Sequence, residues 1–237
     1  MWIRNQEGER IANTWVPGTP GGRDVVVIGH GVTSDKERPW SEHLSKRLAQ
    51  GGVASIRIAW SGNGESEGSF EDSTITKEVH DLGAVLDALG ETWSVSFVGH
   101  SMGAAVGMRR AAVDPRIRRL VSLAGMVHTR QFMDSYFGHL KVGQSMLDKP
   151  HCPLSAKLVD DLHEIESVVG DAPKIAVPWL IVHGTQDNVV PIAHARDAYA
   201  AAQEHVELIE LDGTDHSFTG AGLAQMLDAV VPWLCMP

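Results

Sequence analysis

Residues 99–103 read Gly99-His100-Ser101-Met102-Gly103, and their flanks restrict what such a pentapeptide can be. Before it, Ser94-Val95-Ser96-Phe97-Val98 alternates small polar residues with apolar β-formers, the pattern of a strand. After it, 104–113 carries four alanines with Met108, Arg109 and Arg110, residues that lose little freedom in a helix. A serine on so sharp a strand-to-helix turn is held in a strained backbone conformation. Glycine two positions before and two after it relieves the crowding. A chain that must pass straight from strand to helix around a serine selects an α/β architecture.

The remaining periodicity agrees. Val25-Val26-Val27-Ile28 is an unbroken apolar run, as in a parallel strand buried on both faces. Strands are predicted at 11–16, 24–28, 53–59, 94–98, 117–123, 179–183 and 206–211. Helices are predicted at 41–50, 74–89, 104–113, 158–169, 193–202 and 222–231. In 74–89, Val79, Leu82, Val85, Leu86 and Leu89 share one face. This alternation predicts a doubly wound, mostly parallel sheet with helices on both faces, in a single domain spanning 1–237. Residues 126–175 break the rhythm, because the segment is far longer than an ordinary connection and has no clear buried strand. Its apolar residues, among them Phe132, Met133 and Phe137, are irregularly spaced. It is expected to be a small inserted cap over the C-terminal edge of the sheet, where α/β proteins bind ligands.

Charge and cysteine content narrow the classes of function. Thirty acidic residues against twenty basic ones give a formal charge of −10, which lacks the basic footprint of a nucleic-acid binder. The two cysteines, Cys152 and Cys235, are too few for a disulfide framework or a metal cluster, and reduced thiols are expected. Residues 1–10 show no apolar leader, and no stretch approaches the roughly 18 uncharged apolar residues that span a bilayer. A cytoplasmic protein without membrane contact is expected. No sequence pattern addresses the oligomeric state.

A serine nucleophile needs a base, a group to orient that base, and donors for the oxyanion. For this type of elbow the acid follows the serine and the histidine follows the acid. Asp187 stands in the loop after the predicted strand 179–183, and His216 in the loop after 206–211. Loops at one edge of a sheet converge, so Ser101, Asp187 and His216 are the expected triad. Asp215 is the rival acid, but an immediate neighbour of His216 has little reach to orient its ring. The expected oxyanion donors are the backbone N–H groups of Met102 and of Val32, the latter in Gly29-His30-Gly31-Val32 after strand 24–28. His30, Trp60, Phe132, Met133 and Phe137 are the candidate pocket residues.

With these residues in order, the chain resembles the α/β-hydrolase superfamily over nearly its whole length. Its His30-Gly31-Val32 loop, Gly62-Asn63-Gly64-Glu65-Ser66-Glu67-Gly68 loop and insert are most similar to compact cinnamoyl/feruloyl-esterase-like serine hydrolases. That resemblance implies cleavage of small-molecule carboxylic esters, including aryl or hydroxycinnamoyl esters, without metal or organic cofactor. Thioesterase or peptidase chemistry on the same triad, or a non-catalytic ligand-binding role, are the alternatives. The family commonly has Arg-x-Asp-x-x-Gly-His-Gly before the Ser-Glu-Gly; here Ala59 and Asn63 replace the aspartate and histidine. Gln and Gly are usual where this chain has Met102 and Ala104. These departures are expected to bear on acyl specificity.

Other motifs fail on their own chemistry. Gly62-x-Gly64 lacks a third glycine, since Glu67 occupies that position, and acid would face a pyrophosphate. No P-loop Gly-Lys-Ser/Thr occurs. His163-Glu164 is not followed by the histidine of a His-Glu-x-x-His zinc motif.

Overall fold

The computed structural model describes residues 1–202 and 204–236. Its strands are β1 (Asn13–Val16), β2 (Asp24–Gly29), β3 (Ala54–Ile58), β4 (Ser94–His100), β5 (Ile117–Leu123), β6 (Trp179–Gly184) and β7 (Val206–Leu211). They form one seven-stranded sheet in the order β1-β3-β2-β4-β5-β6-β7. β1 runs antiparallel to β3. Every other pairing is parallel. This is the mostly parallel, doubly wound sheet that the alternation predicts.

Helices α1 (Pro39–Gln50), α2 (Ile75–Leu89) and α3 (Met102–Ala111) follow β2, β3 and β4. In the strands, period-two alternation sends neighbouring residues to opposite faces. Val25, Val27, Phe97, Leu120 and Ile181 enter the core beneath α2 and α3. Val26, Ile28, Val98, Val121, Leu180 and Val182 pack on the other face, with Leu44 and Leu48 of α1. Both faces are covered, which is why these strands read as continuous apolar runs. Each such Val, Leu or Ile contributes about 1.5–3 kcal/mol by leaving water. Trp179 also needs a polar partner, and its indole N–H donates to Ser122 Oγ at 3.0 Å.

Between β5 and β6 the chain forms a short turn α4 (Thr129–Phe132) that widens into a π-helical turn (Met133–Phe137), then α5 (Ala156–Ile165) and a 3₁₀ segment (Val169–Lys174). The sequence places the helix of this region at 158–169. The Ser155 side chain instead caps it, accepting from Leu158 N at 3.0 Å, so it starts earlier. It stops at Glu166, whose φ is +57°. The chain then turns back, and Val168 N–H reaches Val127 O at 2.8 Å. Tertiary pairing with the exit of β5 thus overrides the local apolar pattern. The last helices are α6 (Ala193–Ala201) and α7 (Ala221–Cys235), and α7 continues through Pro232 past its expected end at 231. Among the described residues, no helix is long and apolar enough to cross a membrane.

Candidate active site

Parallel strands deliver their following loops to one edge, and the loops after β2, β4, β6 and β7 meet there around a cavity of about 240 Å³. Its lining includes Gly31 and Val32 after β2, His100 and Ser101 at the elbow, Val189 after β6, and His216 and Ser217 after β7. Tyr136, Leu147 and Lys149 come from the 126–175 segment. A larger cavity of about 410 Å³, beside Trp2 and Arg110, contains none of these groups.

Ser101 has φ 55° and ψ −117°, a conformation that costs about 1–3 kcal/mol in a non-glycine residue. Its neighbours hold it there. Ser101 N–H donates to Leu123 O at 2.9 Å, and Ser101 O accepts from Ala104 N and Met126 N, each at 3.1 Å. The two elbow glycines are needed for space. A Cβ on Gly99 would sit 2.2 Å from Gly103 O, and one on Gly103 would sit 2.5 Å from His30 O. Although Ser101 is the N-cap of α3, its hydroxyl does not cap the helix. It lines the cavity instead.

His216 Nδ1–H donates to Asp187 Oδ2 at 2.7 Å, which fixes the tautomer and leaves Nε2 as the ring's acceptor. The Asp187 side chain is fully buried and anchored elsewhere: its Oδ1 accepts from Val189 N at 2.9 Å and Val190 N at 2.8 Å. His183 Nε2 lies 3.2 Å from the same Oδ2. Burial works against the Asp187 carboxylate, but the hydrogen bonds from His183 and His216 outweigh it and hold the group well below the usual carboxylate range. Asp215 spends its carboxylate on Thr219, accepting from that residue's N–H and hydroxyl, and does not orient His216.

The backbone N–H groups of Val32 and Met102 have no backbone partner among the described residues. Met102 opens α3, where N–H groups lack intrahelical acceptors and the helix dipole favours negative charge. A Cβ on Gly31 would come within 2.8 Å of Ser101 Cβ, so glycine there lets the two loops approach.

The candidate pocket residues lie elsewhere. None of His30, Trp60, Phe132, Met133 and Phe137 lines the cavity around Ser101. Trp60, Met133 and Phe137 are buried in the core. Phe132 lines an adjoining cavity of about 210 Å³, which shares Tyr136 and Val189 with the first. His30 is structural: Nδ1–H donates to Gly31 O at 2.8 Å, and Nε2 accepts from Trp60 N at 3.3 Å. Burial pulls its pKa down to about 4, so it is neutral. Ala59 and Asn63 also lie away from the lining; Asn63 is buried and donates to Ser73 Oγ at 3.0 Å. An apolar insert reads from sequence as a pocket wall, yet most of its large side chains fill the core beneath it.

Sequence reasoning missed Arg38, His100, Tyr136, Leu147 and Lys149. His100 is signalled only by its place inside the elbow. Its Nε2–H donates to His216 O at 2.8 Å, and its ring lies 4.8 Å from the His216 ring, centroid to centroid. Burial pulls its pKa down to about 3, so a neutral imidazole braces the His216 loop. Among the described residues, no group of three or more His, Cys, Asp or Glu side chains is arranged to hold a metal ion.

Comparison with known proteins adds a lineage to this geometry. The model of the alpha/beta hydrolase family matches residues 25–232. The chain is 27% identical over 234 residues to the 2,6-dihydropseudooxynicotine hydrolase of Paenarthrobacter nicotinovorans, covering 92% of this chain but 59% of that protein. It thus spans less than two thirds of that relative. Est1E from Butyrivibrio proteoclasticus, solved with ferulic acid bound, superposes with a TM-score of 0.84 at 24% identity, over 99% of this chain and 97% of that one. Mouse alpha/beta hydrolase domain-containing protein 10 superposes at 0.82 with 17% identity, over 99% and 97%. With the sheet order already established, a family match from the first central strand to the last helix makes this chain a member of the alpha/beta hydrolase family.

Proposed function

We infer that the protein is a serine hydrolase that cleaves carboxylic esters of small molecules through an acyl-enzyme on Ser101. One observation carries the reading: strained Ser101 and the Asp187-anchored His216 line the same cavity. His216 Nε2 takes the Ser101 proton as Oγ attacks the ester carbonyl. The tetrahedral oxygen receives the Val32 and Met102 N–H groups at the positive end of α3. His216 then protonates the departing alcohol, and the same base activates water to release the acid. Asp187 stays ionised throughout and stabilises the imidazolium.

The 126–175 segment acts as a cap, since it supplies Tyr136, Leu147 and Lys149 to the wall. A cavity of about 240 Å³ lies below the usual range for drug-sized ligands, which favours a compact acyl or aryl group over a long lipid chain. The ferulic acid bound to Est1E supports hydroxycinnamoyl esters as one class to assay.

A serine-directed fluorophosphonate probe tests the reading. Labelling of the folded wild type, lost in Ser101→Ala, is expected; an unlabelled wild type overturns it. A rate panel of short-chain, medium-chain, hydroxycinnamoyl and thioester substrates, with an aminoacyl amide, then assigns the acyl donor.

A further inference from the structure

The cavity around Ser101 is cationic in a chain that is strongly anionic. Arg38 and Lys149 both line it, and no Asp or Glu is among its lining residues. The chain as a whole carries a formal charge of −10, so this polarity is local. Many basic side chains elsewhere are paired with carboxylates, among them Lys36 with Glu37 and Glu65, Arg57 with Glu37, and Arg196 with Glu210. Neither Arg38 nor Lys149 has a carboxylate within ion-pair distance among the described residues. The acid of the triad is buried and already bonded to His216 and His183, so it does not neutralise them.

Their placement couples them to the reaction centre. Arg38 is the N-cap residue of α1, a few residues beyond the Gly31-Val32 loop, and its side chain does not cap that helix. Lys149 reaches across from the 126–175 segment and donates to Thr33 O at 2.7 Å. Thr33 has φ +56° and adjoins Val32 in chain order. That bond uses one of three ammonium donors and cancels no charge. Two uncompensated cations on the wall of a small, partly enclosed cleft attract an anion far more than they would on open surface.

We propose that the ester substrate carries a carboxylate, recognised by Arg38 and Lys149 while Ser101 attacks the ester carbonyl. The inference rests on the serine-hydrolase reading and names its substrate class. Guanidinium and ammonium groups on different elements bind a compact anion from two sides, and the pairing orients the ester as well as holding it. The neutral remainder then faces Tyr136, Leu147 and Val189.

Two matched pairs of esters test this. Mono(4-nitrophenyl) adipate and 4-nitrophenyl hexanoate share leaving group and chain length and place the charge in the acyl half. 4-Acetoxybenzoate and 4-acetoxybenzamide place it in the alcohol half. In one pair the anionic ester should have the higher kcat/KM, by about tenfold, equivalent to about 1.4 kcal/mol. That ratio should fall towards one in both Arg38→Gln and Lys149→Gln, survive in Lys149→Arg, and shrink as salt rises from about 0.02 to 0.5 M. Ratios near one in both pairs, or ratios untouched by either glutamine variant, overturn the proposal while ester hydrolysis itself stands. Hydrolysis of none of the four esters, with no fluorophosphonate labelling, overturns the hydrolase reading beneath it.

Discussion

Ser101 shows how a single residue's strain is sustained by its neighbours. The left-handed backbone persists because Leu123, Ala104 and Met126 all bond to it, and because Gly31, Gly99 and Gly103 leave it room. Gly31→Ala should therefore damage chemistry more than folding. Its Cβ would lie 3.3 Å from Ser101 Oγ, and moving a reacting group by about 1 Å costs roughly a hundredfold in rate. We expect fluorophosphonate labelling to slow by about that factor while the melting temperature changes by only a few degrees. A second residue-scale outcome concerns Glu78, which the sequence shows only as a polar member of an amphipathic helix. It is buried, accepts from Ser73 Oγ at 3.0 Å, and leaves Oε2 without a partner. Burial pushes its carboxyl well above the ordinary range; the Ser73 bond opposes this only in part, and Asp81 adds to it. Above about pH 4.3 the unfolded chain loses this proton while the folded chain keeps it, so stability falls as pH rises through that window. Glu78→Gln has no such proton to lose. Its melting temperature relative to wild type should climb as pH rises above about 4.3, until the folded carboxyl itself ionises, and a constant difference would contradict the assignment.

At the scale of elements, the strands were the most legible part. β5 and β7 coincide with their predicted limits, because each carries Ile and Val among its apolar positions and ends at a turn, Gly125 after β5 and Asp212-Gly213 after β7. Helix ends were less legible, as α5 and α7 illustrate, because capping and tertiary contacts decide them. Packing between elements was not legible at all. Gly107 on α3 reads as a weak helix residue, but a Cβ there would lie 2.6 Å from the buried ring of Phe97 on β4. Two effects compete in Gly107→Ala. Helix propensity favours alanine by about 1 kcal/mol, and overpacking a filled core costs about 1–3 kcal/mol. Overpacking wins, and we expect thermal denaturation to shift downward by about 2–6 °C. A raised melting temperature would show that α3 can lift from the sheet without cost.

For the whole molecule, Tyr136 lines both the cavity at Ser101 and the adjoining one that contains Phe132 and His194. Tyr136→Ala should join them and improve kcat/KM for bulkier acyl groups relative to short ones, several-fold on a graded ester panel. An unchanged chain-length profile would mean that substrate never passes that ring. Such a wall could not be read from the sequence, because Tyr136 meets Ser101 only when the insert folds over the sheet edge. The five side chains chosen from sequence as the pocket show the same limit. Apolar residues near a site fill core as readily as cavity, and local pattern does not distinguish the two. Residue pattern alone specifies the parallel sheet and the order of Ser101, Asp187 and His216 along it. Hydrophobic period, glycine placement and chain order are local properties, and parallel strands carry their loops to one edge by topology alone. The anchoring of Asp187, the side chains that wall the cleft and the two unpaired cations that stand in it emerge only from the packed fold. Those facts depend on distances between residues far apart in the chain, which arise only once the core has packed.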